Sequence, residues 1–566
     1  MRRNLLVMAS FLFCVLPVQA APNYIDSPPL REVISTNVGS VESGTIRVPM
    51  ITWGADVATI HANGGAARTA QGSIFAGLGL DLELTREDSF TAQLEAYLRG
   101  DSPYLRGTMG MINLASEALD RDPRAKPVVI YQLSWSAGGD ALVVNESIRQ
   151  AADLRGKRIA IQAYGPHVGY LSKVLADAGL GLNDVDIRWL PDLTATDSSP
   201  MAALQEGDVD AAFVVLPDAL ALTSGGNVGT GAEDSVAGAR ILLSTRTANR
   251  IIADVYAVRA DYLEANRTQV QQFVAGLLQA EEAVADLFAS KRGDYRNLLT
   301  AAAEILLDSP QATSDIEGLY ADARMVGFKG NVDFFANPSF PRSLAKLTTE
   351  LQDSFVLAGL LRRKSVLDHA RWDYDTLRSG LARADEVEVP AFNAEQVASV
   401  VARRQQQGTL EEGTLFSFEV FFKPNQNDFP ADLYRESFEK VIDLAATYGG
   451  AIITVEGHSD PLGYLRKQKA GETDLILGRV KQSAKNLSMS RAVAVRDSVM
   501  GLAQGMGITL DPSQFAVVGH GIGKPATGVC GGNPCAPQTE AEWLSNMRVE
   551  FRIVQVEAES SVFQPL

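Results

Sequence analysis

Between residues 46 and 380, short β-rich runs alternate with segments whose apolar residues recur at helical spacing. The runs Ile46–Ile51, Leu82–Leu84, Val128–Gln132, Arg158–Gln162, Asp186–Leu190, Ala211–Val215 and Val255–Arg259 predict strands. Phe90–Leu98, Gly169–Ala178 and Met201–Glu206 predict helices. Such alternation belongs to an α/β protein. After residue 410 a second series begins. It holds a strand at Leu415–Phe422, an amphipathic helix at Leu433–Tyr448, a strand at Ala451–Glu456, a helix at Ser488–Leu502, a strand at Phe515–Gly519 and a last strand within Asn546–Phe551. This predicts a smaller α+β domain of βαβαβ type over 411–556. Residues 381–410, with Glu386, Glu388, Pro390 and the run Gln405–Gln407, read as a linker containing a helix at Asn393–Arg404. Thr223–Asp234, rich in Gly and Ser/Thr, reads as a surface loop.

A chain of 566 residues is too long for one ordinary core, and two or three are expected. The first twenty residues have the form of a cleaved export signal: Arg2 and Arg3, an apolar run from Leu5 to Leu16, and Val18-Gln-Ala20. Losing the two arginines takes the net charge from −17 to −19, which disfavours nucleic acid as a partner. Export leaves Cys530 and Cys535 in a Gly/Pro-rich loop, where an oxidising compartment favours a local disulfide. A metal at those cysteines would need two more ligands, and His520 is the one nearby candidate, so no metal and no cofactor is expected. The chain has no G-x-S-x-G, H-E-x-x-H or P-loop, and its five histidines lack metal spacing, so an enzyme is not expected.

Two stretches of the smaller domain carry a specific signal. Val455-Glu-Gly-His-Ser-Asp460 and Leu487-Ser-Met-Ser-Arg-Ala492 resemble the peptidoglycan-binding core of OmpA-like domains. The resemblance implies a pocket for the diaminopimelate residue of the stem peptide. Asp460 would meet its ammonium and Arg491 its carboxylate, with Gly457, His458 and Ser459 shaping the turn. Val495 lies one helical turn past Arg491 and packs either on the ligand's methylene chain or in the core. A plain Asp460–Arg491 salt bridge without a ligand is the competing account. The interval from Asp460 to Arg491 is 31 residues, about twice the family's spacing, so Leu462–Ala484 contains an insertion. Ala484 stands where the family usually has Asn.

The larger region is similar to type II periplasmic solute-binding proteins, nearest the group for taurine, alkanesulfonates, nitrate and thiamine-precursor pyrimidines. The likeness rests on the order of Trp53-Gly54, Gly79–Leu84, Gly139–Val144, Leu154–Ala160 and Gly207–Ala212. It implies a bilobed domain over 44–380, with lobe 1 at about 44–139 and 255–380 and lobe 2 at about 140–254. Solute would bind between the lobes, near Trp53, Trp135, Asp140, Tyr164, His167, Asp218 and Asp254. For each of these a core or capping role is the competing account. Three carboxylates and two indoles suit a cationic or heteroaromatic molecule, whereas the helix start after Tyr164 suits an anion. The implied function is a periplasmic receptor of an ABC-type uptake system, tied to peptidoglycan, with an inner-membrane transporter as a further partner. The alternative is an envelope scaffold whose bilobed domain contacts a protein.

Overall fold

The computed structural model describes residues 22–232, 234–384, 394–407, 414–423 and 431–554. The expected leader over 1–20 and much of the 381–410 linker lie outside these residues.

Lobe 1 begins with a parallel pair, β1 (Ile46–Met50) and β2 (Leu82–Arg86). Its main sheet contains β3 (Tyr104–Thr108) and β4 (Pro127–Ser136). The chain then crosses to lobe 2 for β5 (Asp140–Val144), β6 (Arg158–Gln162), β7 (Asp186–Leu190), β8 (Ala211–Val215) and β9 (Arg240–Ser244), which lie in the order β7-β6-β8-β5-β9. It returns through 245–252 to β10 (Ala253–Arg259), which runs antiparallel between β3 and β4. Two short strands, β11 (Ala323–Met325) and β12 (Asp368–His369), both pair with β4. Every residue of β5 and β10 is buried, as expected for strands covered on both faces.

Two segments outside the sheets bind the lobes together. The Leu344–Leu357 helix lies on the Met109–Leu119 helix of lobe 1 and the His167–Asp177 helix of lobe 2. Gln352 donates to Asn113 at 2.9 Å, and Leu351 sits against Gly169. Residues 23–34 form the other strap. Ile25 N donates to the Trp189 carbonyl at 3.0 Å on lobe 2, and Arg31 pairs with Glu117 at 2.6 Å on lobe 1.

The smaller domain is one sheet of β13 (Thr414–Phe421), β14 (Ile452–His458), β15 (Phe515–Gly521) and β18 (Arg548–Val554), in the order β13-β18-β14-β15. A small hairpin, β16 (Val529–Cys530) and β17 (Asn533–Pro534), is closed by the Cys530–Cys535 disulfide. The last strand therefore sits centrally, between β13 and β14. The Arg435–Thr447 helix precedes β14, and the Asp474–Gly505 helix joins β14 to β15. The expected Ser488–Leu502 helix is the second half of this longer element. The insertion folds as the Leu462–Lys469 helix and the first turns of Asp474–Gly505. Between Leu462 and Ala484 it carries five basic and two acidic residues, in a chain of net charge −17. Among the described residues no helix is long and apolar enough to cross a membrane.

Candidate functional site

The two crossings between lobes are fastened to each other by one hydroxyl. Thr245 Oγ1 accepts from Gly138 N and Asp140 N, both at 3.1 Å. The Ser136 hydroxyl bridges Thr245 Oγ1 at 2.8 Å and Asp140 Oδ2 at 2.6 Å. Asp140 Oδ1 meets His167 Nε2 at 2.7 Å, which ties the start of β5 to a helix start in lobe 2. His167 is fully buried and its Nδ1 has no hydrogen-bond partner.

Trp53 follows β1 and covers Gly139, where any side chain would collide with its ring. Trp53 Nε1 donates to Ser134 Oγ at 3.1 Å, and that hydroxyl donates to Asp254 Oδ2 at 3.1 Å. Asp254 also accepts from Arg106 at 2.9 Å, and Arg106 reaches Asp56 at 2.9 Å. All three charged groups are buried. Burial pushes Asp56 up to about 6 and also raises Asp254, against the opposing pull of Arg106. Asp254 thus belongs to a buried triad inside lobe 1. Trp135 is also buried, edge-on to Phe334 with 6.1 Å between ring centres.

The more accessible groups are Trp53, Tyr164, Asp218 and one residue that the sequence did not flag, Asp322. Tyr164 takes a left-handed φ of 58° and donates its hydroxyl to the Pro28 carbonyl at 2.7 Å, under the N-terminal strap. Asp218 accepts from Thr194 Oγ1 at 2.8 Å, and burial raises its pKa. Asp322 ends the Thr313–Asp322 helix and lies against Gly138 and Gly139. Burial pushes its carboxyl up to about 6, opposed by the nearby Arg246 charge. No sequence motif marks Asp322. It reaches the crossing because β11 pairs with the end of β4 and the Asp322 carbonyl accepts from Ala137 N at 2.8 Å.

In the smaller domain, β14 delivers Gly457-His458-Ser459-Asp460 to the Asp474–Gly505 helix. A side chain at Gly457 would collide with the Ser488 carbonyl, so the turn and the helix touch backbone to backbone. Ser459 Oγ donates to the Ala484 carbonyl at 2.9 Å, and Gly521 N donates to Ser488 Oγ at 2.9 Å. Arg491 is fully buried. It donates to the carbonyls of His458 at 3.2 Å and Lys423 at 3.3 Å, and its guanidinium lies 5.2 Å from the Phe422 ring centre. Burial pulls its pKa down to about 10. Asp460 Oδ2 accepts from Leu462 N at 2.9 Å, while Oδ1 is buried without a hydrogen-bond partner. Burial raises the Asp460 pKa, offset in part by the Leu462 amide and the side chains of Trp543 and Asn546. The structure brings Asp460 and Arg491 to the same turn, yet no ion pair joins them. Val495 is fully buried in the core.

Glu456, His458 and His520 place potential metal-ligating atoms within 4.8 Å of one another. Their partners are those of a protein network. His520 Nε2 meets Glu456 Oε2 at 2.7 Å, and Arg552 Nε lies 3.2 Å from Glu456 Oε1. His458 Nδ1 donates to the Lys524 carbonyl at 2.9 Å, and its ring stacks on His520. Burial pushes His458 down to about 3, helped by the Arg548 charge and the His520 ring and opposed by Glu550. Arg548 and Arg552, both paired with Glu550, supply the positive charge that a metal would otherwise bring.

Residues 75–286, which span parts of both lobes, match the family model described as NMT1/THI5 like. The taurine-binding periplasmic protein of Escherichia coli (strain K12) is 28% identical over 206 residues, 36% of this chain and 58% of that relative's length. Among solved structures, the alkanesulfonate-binding protein SsuA from Xanthomonas axonopodis pv. citri, bound to MOPS, is 18% identical, with a TM-score of 0.40 over 58% of this chain and 98% of its own. The aliphatic sulphonate binding protein SsuA from Escherichia coli gives 18% and 0.41 over 62% and 97%. The desulfurization enzyme DSZB gives 19% and 0.37 over 59% and 98%.

Two outcomes follow from the geometry. Arg106→Ala leaves Asp56 and Asp254 buried without their counter-charge, and urea denaturation should show a loss of about 3–5 kcal/mol. A variant with wild-type stability would show that the triad holds nothing together. His458, whose pKa is depressed to about 3 in the folded state, takes up a proton at higher pH when unfolded. Between its ordinary pKa and about 3 the unfolded chain binds more protons, so stability falls as pH falls. The loss from this group should reach about 2 kcal/mol by pH 5. Thermal melts from pH 7 to 5 should record it, and His458→Gln should flatten the slope.

Proposed function

We propose that this protein is a periplasmic solute-binding receptor of an ABC-type uptake system, held to peptidoglycan by its smaller domain. The match of residues 75–286 to the NMT1/THI5-like model carries the receptor half of this reading. The two backbone crossings support it physically, because a domain joined by two adjacent segments can close on a ligand by rotating about them.

The solute is a small molecule with an ammonium group, and an amino-sulfonate such as taurine fits best. Asp322 and Asp218 are carboxylates without a basic partner in hydrogen-bonding contact, and Trp53 offers an aromatic wall beside Asp322. Arg246 is exposed and close enough to Asp322 to influence it, which supplies the cation that a sulfonate requires. The curated relative's name supports the same choice. The opposing preferences of acidic side chains and helix N-termini are thereby reconciled in one zwitterionic ligand.

For the wall anchor, Asp460 and Arg491 are the diaminopimelate contacts, and Gly457, His458 and Ser459 set the turn. The observation in favour is that Asp460 and Arg491 share one turn without an ion pair between them, the guanidinium bonding to backbone carbonyls and the carboxylate to the Leu462 amide. An OmpA-like pocket of this kind binds without chemistry.

A scaffold role stands as the second reading. The observation that favours it is the Leu344–Leu357 helix seated on both lobes, with Gly110 and Gly169 in direct approach beneath it. Calorimetry with taurine, short alkanesulfonates and alkylamines separates the two. Taurine binding that weakens at least tenfold in Asp322→Asn supports the receptor, and no binding by any of these compounds favours the scaffold. The anchor is tested by pull-down on diaminopimelate-type peptidoglycan. Asp460→Ala and Arg491→Ala should each release the protein into the supernatant. Retention of both variants would remove these residues from the wall contact.

A further inference from the structure

The smaller domain does not hang free of the bilobed domain: it is docked on the hinge. The second crossing, 245–252, meets the end of the Arg435–Thr447 helix and the turn after it. Arg250 N donates to the Thr447 carbonyl at 3.2 Å, and the Arg250 guanidinium donates to the Ala446 carbonyl at 3.3 Å. The hinge arginine thus caps a helix C-terminus, where unpaired carbonyls and the negative end of the helix dipole favour a cationic donor. In return, Gly450 N donates to the Thr247 carbonyl at 3.1 Å. The fit is close. A side chain at Gly450 would collide with the Arg246 carbonyl, and one at Gly449 would reach Asn249 Oδ1.

On the lobe 2 side, Lys173 Nζ contacts Asp443 at 2.9 Å and Asp177 at 2.8 Å, and the Tyr448 hydroxyl donates to Asp177 at 2.8 Å. The Leu344–Leu357 helix closes the ring. Glu350 pairs with Arg342 at 3.0 Å and approaches Lys173 at 3.7 Å, while Arg342 Nε donates to the Arg250 carbonyl at 3.0 Å. Lys173, Arg342, Thr447 and Tyr448 are all buried. The hinge residues Ala248, Ile251 and Ile252 share one apolar cluster with Ile442, Leu444 and Tyr448.

We infer that the smaller domain is an intramolecular brace that fixes the angle between the lobes by gripping the second crossing and the His167–Asp177 helix together. Rotation of the lobes changes backbone dihedrals in 245–252, and the bonds at Thr247 and Arg250 cannot survive a large change there. Opening the cleft therefore requires the smaller domain to loosen. By linkage, a wall fragment that shifts the smaller domain changes the cleft, and a solute in the cleft changes the hold on the wall. The inference rests on the two-lobe hinge and not on the identity of the solute or the wall ligand.

The test uses the full chain with neither ligand present. Spin labels at Glu95→Cys and Glu206→Cys, exposed positions on lobe 1 and lobe 2, report the inter-lobe distance. Hydrogen exchange reports the amides of 245–252. The braced protein should give one narrow distance and protected hinge amides. Asp443→Lys turns an attraction to Lys173 into a repulsion. It should broaden the distance distribution and speed exchange at 245–252 at least tenfold, with β6 and β14 amides unchanged. If that variant does not fold, Asp443→Ala should show the same changes to a smaller degree. An unaltered distance distribution and unaltered hinge exchange in a folded variant would overturn the brace. Failure of taurine or peptidoglycan binding would leave this result untouched, so the two readings fail separately.

Discussion

The fold depends on β4 and β10 running antiparallel beside each other. Because Ala253 pairs with Trp135, the chain leaves lobe 1 and returns to it at neighbouring points. That proximity lets one hydroxyl, Thr245 Oγ1, receive amides from the opposite crossing. It also buries the base of the hinge, so the charges there must be matched. Arg106 between Asp56 and Asp254 is the match on lobe 1, while toward lobe 2 the Asp140 carboxylate is hydrogen-bonded to the Ser136 hydroxyl and the His167 ring.

The smaller domain repeats the theme of a site made where two elements cannot separate. Gly457 allows the Asp474–Gly505 helix to lie directly on the end of β14, and Ser459 and Ser488 stitch the contact with hydrogen bonds. Arg491 is then held by the backbone carbonyls of His458 and Lys423. A buried guanidinium satisfied in this way is held in one orientation, with little side-chain freedom left.

Much of this was legible in the sequence, and the failures have physical causes. Strands such as Arg158–Gln162 and Ala211–Val215 were read to the residue, because each is a short apolar run bounded by turn residues. β3 was missed, since Tyr-Leu-Arg-Gly-Thr carries a charge and a glycine, and its Arg106 is buried only because carboxylates from distant segments surround it. The same blindness to long-range partners hid that Asp254 meets Arg106 and that Asp322 lies against Gly138 and Gly139 at the crossing. Period and composition report local structure. They do not report which charge faces which across two hundred residues. The GHSD turn and the LSxxRA helix were legible because each is a short contiguous motif, while the long helix was cut short because its first half, Asp474–Leu487, lies mostly in the insertion and was not read as a helix.

The basic insertion gives the molecule a lopsided charge. The Asp474–Gly505 helix alone measures about 48 Å at 1.5 Å per residue, and its early turns carry Arg479, Lys481 and Lys485. The Leu462–Lys469 helix beside it adds Arg466, Lys467 and Lys469. The rest of the chain is strongly acidic. In the field of an anionic surface such a body behaves as a compass needle: the acidic bulk is pushed outward and the basic arm is drawn in. The approach is oriented before any specific contact forms, and salt that screens the field removes the orientation first.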